Sequence, residues 1–185
     1  MEIVFATQNK GKFREAKEKF GGIGVKLSQY DGGYPEIQAD DLIDVAIYGA
    51  RYLSRKIDKP FFLEDAGLFI RSLNGFPGVY SAYVFKKIGC RGILRLMEAE
   101  EDRYAEFRSV IVYKEKGRKA KVFIGTCQGM ISHEERGTKG FGFDPIFIPS
   151  GSNKTFGEMD VREKNRYSHR GKSIEMLAKY LRKKL

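Results

Sequence analysis

The hydrophobic pattern near the start of the chain predicts a strand, a helix and a second strand. Glu2–Ala6 is a short apolar run bounded by polar residues, which is typical of a buried strand. The segment that follows places three apolar residues on one helical stripe: Phe13, Ala16 and Phe20. Gly21-Gly22 ends this helix, and Val25–Ser28 is the second predicted strand.

A second helix and two strand segments come next. The acidic pair Asp40-Asp41 suits a helix N-terminus. The predicted buried stripe of this helix consists of Leu42, Val45, Ala46, Gly49 and Leu53. Phe61–Leu63 and Leu68–Ile70 favour strands. Between them Glu64–Gly67 is a polar stretch that ends in glycine, where we expect the chain to bend.

The second half predicts a helical region, a long hairpin and a terminal helix. Helical patterns cover Val79–Ile88 and Gly92–Glu98. Two β-rich runs, Tyr104–Tyr113 and Ala120–Ile131, flank Lys116-Gly117 and predict a hairpin. The apolar face of the last helix consists of Ile174, Leu177, Ala178, Leu181 and Leu185. Early alternation of strands and helices with a late hairpin predicts an α/β fold with a mixed sheet.

Length and composition limit the class of protein. The chain has 185 residues, 42% of them hydrophobic and 31% charged, which predicts one folded domain over residues 1–185. Apolar runs fall well short of the ~18 residues that span a bilayer, so no membrane partner is expected. Cys90 and Cys127 lack a metal-binding or redox spacing, and Met1–Ala6 lacks the features of an export signal. We therefore expect a cytoplasmic protein with two buried thiols.

The charge balance favours a polyanionic partner. Lys and Arg number 34 against 24 Asp and Glu, which gives a formal net charge of +10. This excess suits a nucleic-acid-binding module, and it equally suits an enzyme for a polyanionic small molecule. It is densest around the terminal helix, where charge runs are typical of a solvated face.

The segment between the first predicted strand and helix is a candidate anion site. Unpaired N–H groups and the positive end of the helix dipole at such a junction suit phosphate oxygens. The segment consists of Thr7, Gln8, Asn9, Lys10, Gly11 and Lys12. From local physics alone, a polar cap on the helix is an equally good interpretation.

Three carboxylates are candidates for binding a divalent cation. Glu64 and Asp65 follow an apolar strand segment, and Glu36 precedes the second helix, from where it can close on the same point. Adjacent carboxylates suit Mg²⁺, a hard cation that takes oxygen ligands and keeps several waters. Solvated acids in a loop are the alternative interpretation.

Two later segments suit a nucleotide. In Gly140–Phe147, aromatic residues alternate with glycines, which favours stacking on a base; a buried aromatic corner is the alternative. Asp144 either holds this loop or binds a base edge. Lys164, His169 and Arg170 are donors near the last helix and suit an anion or a carbonyl oxygen, although such residues are also common on surfaces.

Six short motifs, taken in order, resemble those of the inosine triphosphatase family. They are Thr7-x-Asn9-x-x-Lys12, Pro35-Glu36-x-Gln38, Glu64-Asp65-x-Gly67-Leu68, Asn74-Gly75-x-Pro77-Gly78, Phe141–Phe147 and Ser168-His169-Arg170. Each motif alone is weakly specific, but together they span Met1 to about Leu181. Members of that family are nucleoside-triphosphate pyrophosphatases that act on non-standard purines.

The resemblance implies a role for each matching residue. It implies that Thr7–Lys12 binds the triphosphate, that Asp65 is catalytic, and that Glu36, Asp65 and Glu64 are candidate metal ligands. The further substrate-binding residues that it implies are Ala66, Phe141, Gly142, Phe143, Asp144, Lys164, His169 and Arg170. Phe141 is the expected stacking ring, and the 6-keto group is the expected target of His169 and Arg170.

The resemblance also implies a fold and a reaction. The fold is an elongated mixed sheet with flanking helices and two lobes around a central nucleotide-binding cleft, usually in a homodimer. The reaction is Mg²⁺-dependent hydrolysis of ITP, dITP or XTP to the monophosphate and pyrophosphate, with Asp65 activating water alone or with the metal. Two departures are visible: Ala66 replaces a common Ser or Thr, and Tyr48-Gly49 stand where many members have a lysine.

Two alternatives remain open at the level of sequence. A basic single-stranded nucleic-acid-binding module would use Phe141 and Phe143 as stacking platforms. Such a module gains nothing from Glu36, Glu64 and Asp65 in its groove, so no stable nucleic-acid partner is expected. A pyrophosphatase for pyrimidine or methylated nucleotides with a similar fold is the second alternative.

Overall fold

The computed structural model describes residues 1–22 and 24–184, in which seven strands and five α-helices follow one another. The strands are β1 (Glu2–Ala6), β2 (Lys26–Tyr30), β3 (Phe61–Ile70), β4 (Pro77–Gly78), β5 (Tyr104–Lys114), β6 (Lys121–Ile131) and β7 (Phe147–Pro149). The helices are α1 (Lys10–Phe20), α2 (Leu42–Leu53), α3 (Ser81–Leu96), α4 (Val161–Tyr167) and α5 (His169–Arg182). This order confirms the predicted α/β class.

The strands of the described ranges form one mixed sheet. Their order is β2-β1-β3-β5-β6-β7, with the short β4 paired to β3. β1 is parallel to β2 and β3, and α1 and α2 connect these strands. β3, β5, β6 and β7 are successively antiparallel, and β5 and β6 form the predicted hairpin. The sheet is therefore mixed, because a parallel βαβ part adjoins an antiparallel hairpin.

The predicted bend between Phe61–Leu63 and Leu68–Ile70 is wrong. β3 is continuous from Phe61 to Ile70 because β5 pairs with it along its whole length. The interruption lies in the neighbouring strand instead, since β1 ends at Ala6, opposite Leu63. One edge of β3 therefore loses its partner at Glu64, while the other edge stays paired.

Three other segments can be compared with the sequence prediction. The second strand spans Lys26–Tyr30, so it begins one residue later and ends two residues later than predicted. The two predicted helical segments after Val79 adjoin within α3 at a kink: Gly89 there has non-helical backbone angles, with a φ of 61° that glycine adopts without strain. The last helix has its predicted apolar face up to Leu181, whereas Leu185 lies outside the described residues.

Apolar side chains pack on both faces of the sheet. One core joins α1 and α5 to Phe5 and Phe62, and a second joins α2 to Val4 and Leu63. A third core lies at the far end of β3, β5 and β6, where α3 and the segment after β6 cover Leu68. The middle of β3, Glu64–Ala66, belongs to none of these cores, and the cleft between the two parts of the molecule lies there.

The structure also bears on the predictions about the two cysteines and about membrane-spanning segments. Cys90 and Cys127 are buried and form no disulfide, as predicted. Within residues 1–22 and 24–184, no helix combines the length and apolar character that crossing a membrane requires. Apolar packing on both faces of the sheet buries the core side chains of these residues.

Candidate active site

Glu64 and Asp65 lie at the centre of the cleft, but they face opposite sides of the sheet. Phe62 belongs to the core under α1 and α5, and Leu63 belongs to the core under α2. Side chains alternate along a strand, so Glu64 lies on the α1/α5 face and Asp65 lies on the α2 face. The two carboxylates therefore do not act as the adjacent pair that the sequence suggested.

Asp65 is a half-buried carboxylate near charged groups of both signs. Its Oδ1 accepts the Ala66 N–H at 2.9 Å. Burial, together with the charges of Glu64 and Glu36, raises the pKa of Asp65 to about 7, although Lys12 opposes this shift. A carboxylate with such a pKa can exchange protons near neutral pH, or it can be ionised by a bound cation.

Glu64 is fully buried and is held by three donors. Its Oε1 accepts hydrogen bonds from Ser109 Oγ at 2.8 Å and from Arg170 Nε at 3.1 Å. Its Oε2 lies 2.9 Å from Lys12 Nζ. The charges of Arg170 and Lys12 outweigh the effect of burial and hold the pKa of Glu64 well below its usual value. Glu64 thus orders two cationic side chains, and its oxygens are committed to protein donors.

A second buried carboxylate, Glu15 of α1, links the last two helices. Glu15 Oε1 lies 2.6 Å from Lys164 Nζ, and Oε2 lies 2.6 Å from Arg170 Nη1. Both cations lower the pKa of Glu15 despite its burial. Arg170 therefore bridges Glu15 and Glu64, and Lys164 bridges Glu15 and Asp144, to which it also lies at 2.6 Å.

Asp144 holds the Phe141–Asp144 loop, which is one of its two predicted roles, and it also lines a cavity of the cleft. Its Oδ2 accepts the Phe141 N–H at 2.7 Å in addition to the Lys164 ammonium. Burial raises the pKa of Asp144, while Lys164 opposes that shift. Gly140, at φ 76°, passes so close to the Asp144 carboxylate that a Cβ there would collide with it.

The aromatic residues of this loop have different environments. Phe141 is half-buried, with Lys164 Nζ 4.7 Å and the Arg170 guanidinium 5.2 Å from its ring centre. Gly11 of α1 packs against the same ring, and a Cβ at that position would collide with it. Phe143 is buried and packs edge-on against Phe85 at 5.3 Å. Phe143 therefore belongs to a core, in agreement with the buried aromatic corner that the sequence left as an alternative, and it also lines a cavity of the cleft.

His169 is a neutral, buried imidazole in the wall of the cleft. Its ring stacks on Phe107, with centroids 4.6 Å apart and 9° between the planes. Burial and the neighbouring Arg170 hold its pKa well below 6.5. A neutral imidazole has one donor nitrogen and one acceptor nitrogen, so His169 can give one N–H to a ligand.

The loop before α1 is a helix cap as well as a cavity wall. Asn9 is the N-cap residue, and its Oδ1 accepts the N–H groups of Gly11 at 2.8 Å and Lys12 at 3.1 Å. Thr7 Oγ1 accepts the Asn9 N–H at 3.1 Å. The predicted cap is therefore present, and it occupies N–H groups that the anion-binding interpretation left free. Positive charge reaches the cleft here through the Lys12 side chain.

Two cavities meet in the cleft. The aromatic cavity, of about 280 Å³, is named after five of its wall residues: Phe85, Phe107, Phe141, Phe143 and His169. The loop cavity, of about 370 Å³, is named after its wall of Thr7, Gln8, Gly33 and Tyr34. The boundary between the cavities consists of the residues that line both: Asn9, Lys12, Glu36, Ala82 and Lys86. Asp65 and Ala66 line the aromatic cavity beside this boundary.

Glu36 and Asp65 are the carboxylates best placed for a divalent cation. Both line the aromatic cavity, and burial, with smaller contributions from the charges of Glu64 and Glu36, raises the pKa of Asp65. Among the described residues, no group of three or more His, Cys, Asp or Glu side chains is arranged to hold a metal. Mg²⁺ does not require one, because it is commonly bound by one or two carboxylates, waters and substrate phosphates. The chemistry of Glu36 and Asp65 therefore fits a magnesium ion whose other ligands are not protein side chains.

Most of the predicted site residues lie around the two cavities. The aromatic cavity is lined by Asn9, Lys12, Glu36, Asp65, Ala66, Phe141, Gly142, Phe143, Asp144, His169 and Arg170. Thr7, Gln8 and Glu64 line the loop cavity. Lys10, Gly11 and Lys164 line neither: Lys10 is exposed, Gly11 supports Phe141, and Lys164 lies behind it in the ion-pair network. At the position on α2 where the resemblance implies a lysine, Gly49 packs against Tyr34. Arg51, the nearest basic residue of that helix, lines neither cavity.

Sequence reasoning missed several residues around the cleft. None of these residues belongs to a sequence motif: Glu15, Phe85, Lys86, Phe107 and Ser109. For the charged residues among them, the usual expectation on a helix is a solvated side chain. The only signal for Glu15 is its position beside Ala16 on the apolar stripe of α1. Its partners Lys164 and Arg170 are more than a hundred residues away in sequence, so local patterns do not pair them.

Comparison with known proteins identifies the family. A sequence model described as the Ham1 family matches residues 3–180. The chain belongs to the Ham1 family. This membership confirms the resemblance that the ordered motifs indicated, and the match covers both parts of this Ham1-family chain around the cleft.

Curated relatives match this Ham1-family chain over its length. The dITP/XTP pyrophosphatase of Thermococcus kodakarensis is 51% identical over 185 residues, which is 100% of both chains. The dITP/XTP pyrophosphatase of Pyrococcus horikoshii is 53% identical over 182 residues, 98% of this chain and 97% of the relative. The enzyme of the same name from Methanopyrus kandleri is 50% identical over 180 residues, 97% of this chain and 96% of the relative.

Solved structures show the same fold. The Ham1 protein of Staphylococcus aureus superimposes with a TM-score of 0.85 at 29% identity and covers 100% of both chains. A HAM1 protein from Coxiella burnetii gives a TM-score of 0.85 at 32% identity over 99% of both chains. The sheet and helices described above are therefore those of this family.

Proposed function

We propose that this chain hydrolyses non-standard purine nucleoside triphosphates, such as dITP, ITP and XTP, to the monophosphate and pyrophosphate, with Mg²⁺ as its cofactor. The observation that carries the proposal is the meeting of an aromatic cavity with a polar, lysine-bearing cavity beside the carboxylates of Glu36 and Asp65. The full-length relatives named dITP/XTP pyrophosphatase support the same reaction. The removal of deaminated purine nucleotides from the pool is the corresponding biological role.

The aromatic cavity is the proposed site of the base. Phe141 offers a half-buried ring for stacking, and the Asp144 carboxylate and the network beneath it hold the loop in place. Arg170 lines this cavity, and two of its three nitrogens are bound to Glu15 and Glu64. The remaining nitrogen, Nη2, and one N–H of His169 are the donors that we assign to the 6-keto oxygen.

This pair of donors accounts for discrimination against adenine. Hypoxanthine and xanthine present an acceptor at position 6, whereas adenine presents an amino donor there. An adenine base would set donor against donor and leave buried groups unpaired, which costs more than the loss of one contact. Sites of this type discriminate by ~10⁴ or more.

The boundary between the cavities is the proposed site of the reacting phosphates. Glu36 and Asp65 would hold the magnesium ion, which would offset phosphate charge and act as a Lewis acid there. Lys12, fixed by Glu64 at 2.9 Å, contributes positive charge from the opposite side. Asp65 Oδ1 is occupied by the Ala66 N–H, so Oδ2 is the atom that we assign to the proton of the attacking water.

A nucleotide panel tests this proposal. The chain is incubated with dITP, XTP, dATP, dGTP and a pyrimidine triphosphate, each with Mg²⁺ and with EDTA. We expect kcat/KM for dITP and XTP to exceed that for dATP by ~10⁴ or more, with turnover lost in EDTA. Preference for the pyrimidine or for dATP, or full turnover in EDTA, would contradict the proposal.

A further inference from the structure

Lys86 is a boundary residue that no sequence motif singled out. It extends from α3 and lines both the aromatic cavity and the loop cavity, as Lys12 does from α1. It has no ion pair with any carboxylate in the described ranges. It therefore brings positive charge to the boundary that the protein does not compensate directly.

Lys12 differs from Lys86 in this respect. Its Nζ lies 2.9 Å from Glu64 Oε2 and donates to the Glu64 carbonyl oxygen at 3.1 Å. Glu36, also at the boundary, adds a further negative charge. A polyphosphate that entered the loop cavity would therefore meet one lysine already paired with a carboxylate and one unpaired lysine.

The geometry of α3 fixes the direction of Lys86. Four residues of its first turns line the aromatic cavity, at positions i, i+1, i+4 and i+5 of the helix: Ser81, Ala82, Phe85 and Lys86. Residues at this spacing share one helix face. Phe85 packs edge-on against the buried Phe143, which anchors that face against the loop. Ala82, one turn before Lys86, has a small side chain and leaves space at the boundary.

We propose that Lys86 binds the terminal phosphates of the substrate, the part that leaves as pyrophosphate. The inference rests on the proposed function and assigns a phosphate contact to a second helix, opposite α1. The aromatic cavity takes the base, so the triphosphate crosses the boundary toward the loop cavity, where Lys86 is exposed. An ammonium group that has no ion pair within residues 1–22 and 24–184 forms a charge-assisted hydrogen bond to phosphate without breaking one of those pairs.

Lys86→Ala and Lys87→Ala form a matched pair for the test. Lys87 is the next residue on the same helix, is also exposed, and lies over the Tyr83 ring at 5.4 Å without lining either cavity. We expect Lys86→Ala to raise KM for dITP about tenfold with kcat nearly unchanged, because the contact is present in both ground and transition states. Lys87→Ala should leave both constants unchanged, and Lys86→Arg should restore most of the affinity.

Product inhibition locates the contact on the nucleotide. Pyrophosphate and dIMP are added separately as inhibitors of dITP hydrolysis. In Lys86→Ala, we expect inhibition by pyrophosphate to weaken about tenfold and inhibition by dIMP to stay as in the unsubstituted protein. Weaker inhibition by dIMP with unchanged inhibition by pyrophosphate would overturn the inference, since it would place Lys86 at the nucleoside.

The controls separate this inference from the proposed function. If the unsubstituted protein hydrolyses dITP and Lys86→Ala has the same KM as Lys87→Ala, the inference fails while the proposed function stands. If the unsubstituted protein does not hydrolyse dITP, both fail. Lys86 is exposed and alanine favours helices, so thermal unfolding should be the same in both variants and exclude misfolding as a cause.

Discussion

Replacing Asp65 by Asn is expected to lower turnover of dITP by at least ~10² while the chain stays folded. Asparagine keeps the shape of the side chain and can still accept the Ala66 N–H through its oxygen. It neither takes a proton from water nor supplies negative charge to a cation. Measured kcat at saturating Mg²⁺ and dITP tests the role directly, and near-normal turnover would remove Asp65 from the reaction.

The same variant has an opposite effect on stability, which separates catalysis from folding. The pKa of Asp65 rises from 3.8 to about 7 in the folded chain, so its contribution to stability is complete below pH 3.8 and is lost as pH rises toward and through 7. The side chain of the Asp65→Asn variant does not titrate, so the stability of the variant does not fall for this reason as pH rises. In metal-free buffer, its free energy of unfolding relative to the unsubstituted protein should therefore increase between pH 5 and pH 8. A variant that is inactive and also less stable at pH 8 would indicate general damage.

Replacing Arg170 by Ala is expected to reduce the free energy of unfolding by about 3–5 kcal/mol, because it removes one cationic partner from each of two buried carboxylates, Glu15 and Glu64. Arg170 is 3% exposed and donates to Glu15 at 2.6 Å and Glu64 at 3.1 Å. Its loss should also reduce kcat/KM for dITP much more than for dATP, since the arginine donor to the 6-keto oxygen disappears with it. Urea unfolding and the ratio of the two specificity constants are the measurements.

An arginine on the surface provides the control for this prediction. Arg166 of α4 is exposed, so Arg166→Ala should change the free energy of unfolding by less than about 0.5 kcal/mol. The pH dependence adds a further check. Glu15 and Glu64 have lowered pKa values, so their stabilisation is present above pH 4.5 and is lost as pH falls below it. The stability difference between Arg170→Ala and the unsubstituted protein should therefore shrink on acidification, and a constant difference would contradict the ion-pair account.

The parts of the fold that the sequence predicts well are those set by local pattern. β1, α1 and the β5–β6 hairpin follow from apolar period and turn residues within a few positions of one another. The continuity of β3 does not, because a polar stretch at Glu64–Gly67 is compatible with a bend. Only pairing with β5, some forty residues later, keeps it extended.

The candidate site divides in the same way. The motifs that carry Asp65, Glu36 and His169 are visible in the sequence, and the structure brings these residues around one cleft. The orientation of Glu64 away from Asp65 depends on strand continuity, so an error in the strand became an error in the proposed carboxylate pair. Glu15 and Lys86 have no local signal, since their roles depend on α5 and on the direction of α3.

The identity of the products tests the central claim most directly. The unsubstituted protein is incubated with dITP and Mg²⁺ in the absence of any other phosphatase, and the phosphorus-containing products are identified by ³¹P NMR. The proposed placement of the base in the aromatic cavity, of the reacting phosphates beside Glu36 and Asp65, and of the terminal phosphates at Lys86 predicts dIMP and pyrophosphate in equal amounts, with no orthophosphate. Release of orthophosphate with dIDP would place cleavage at the terminal phosphate and contradict the account.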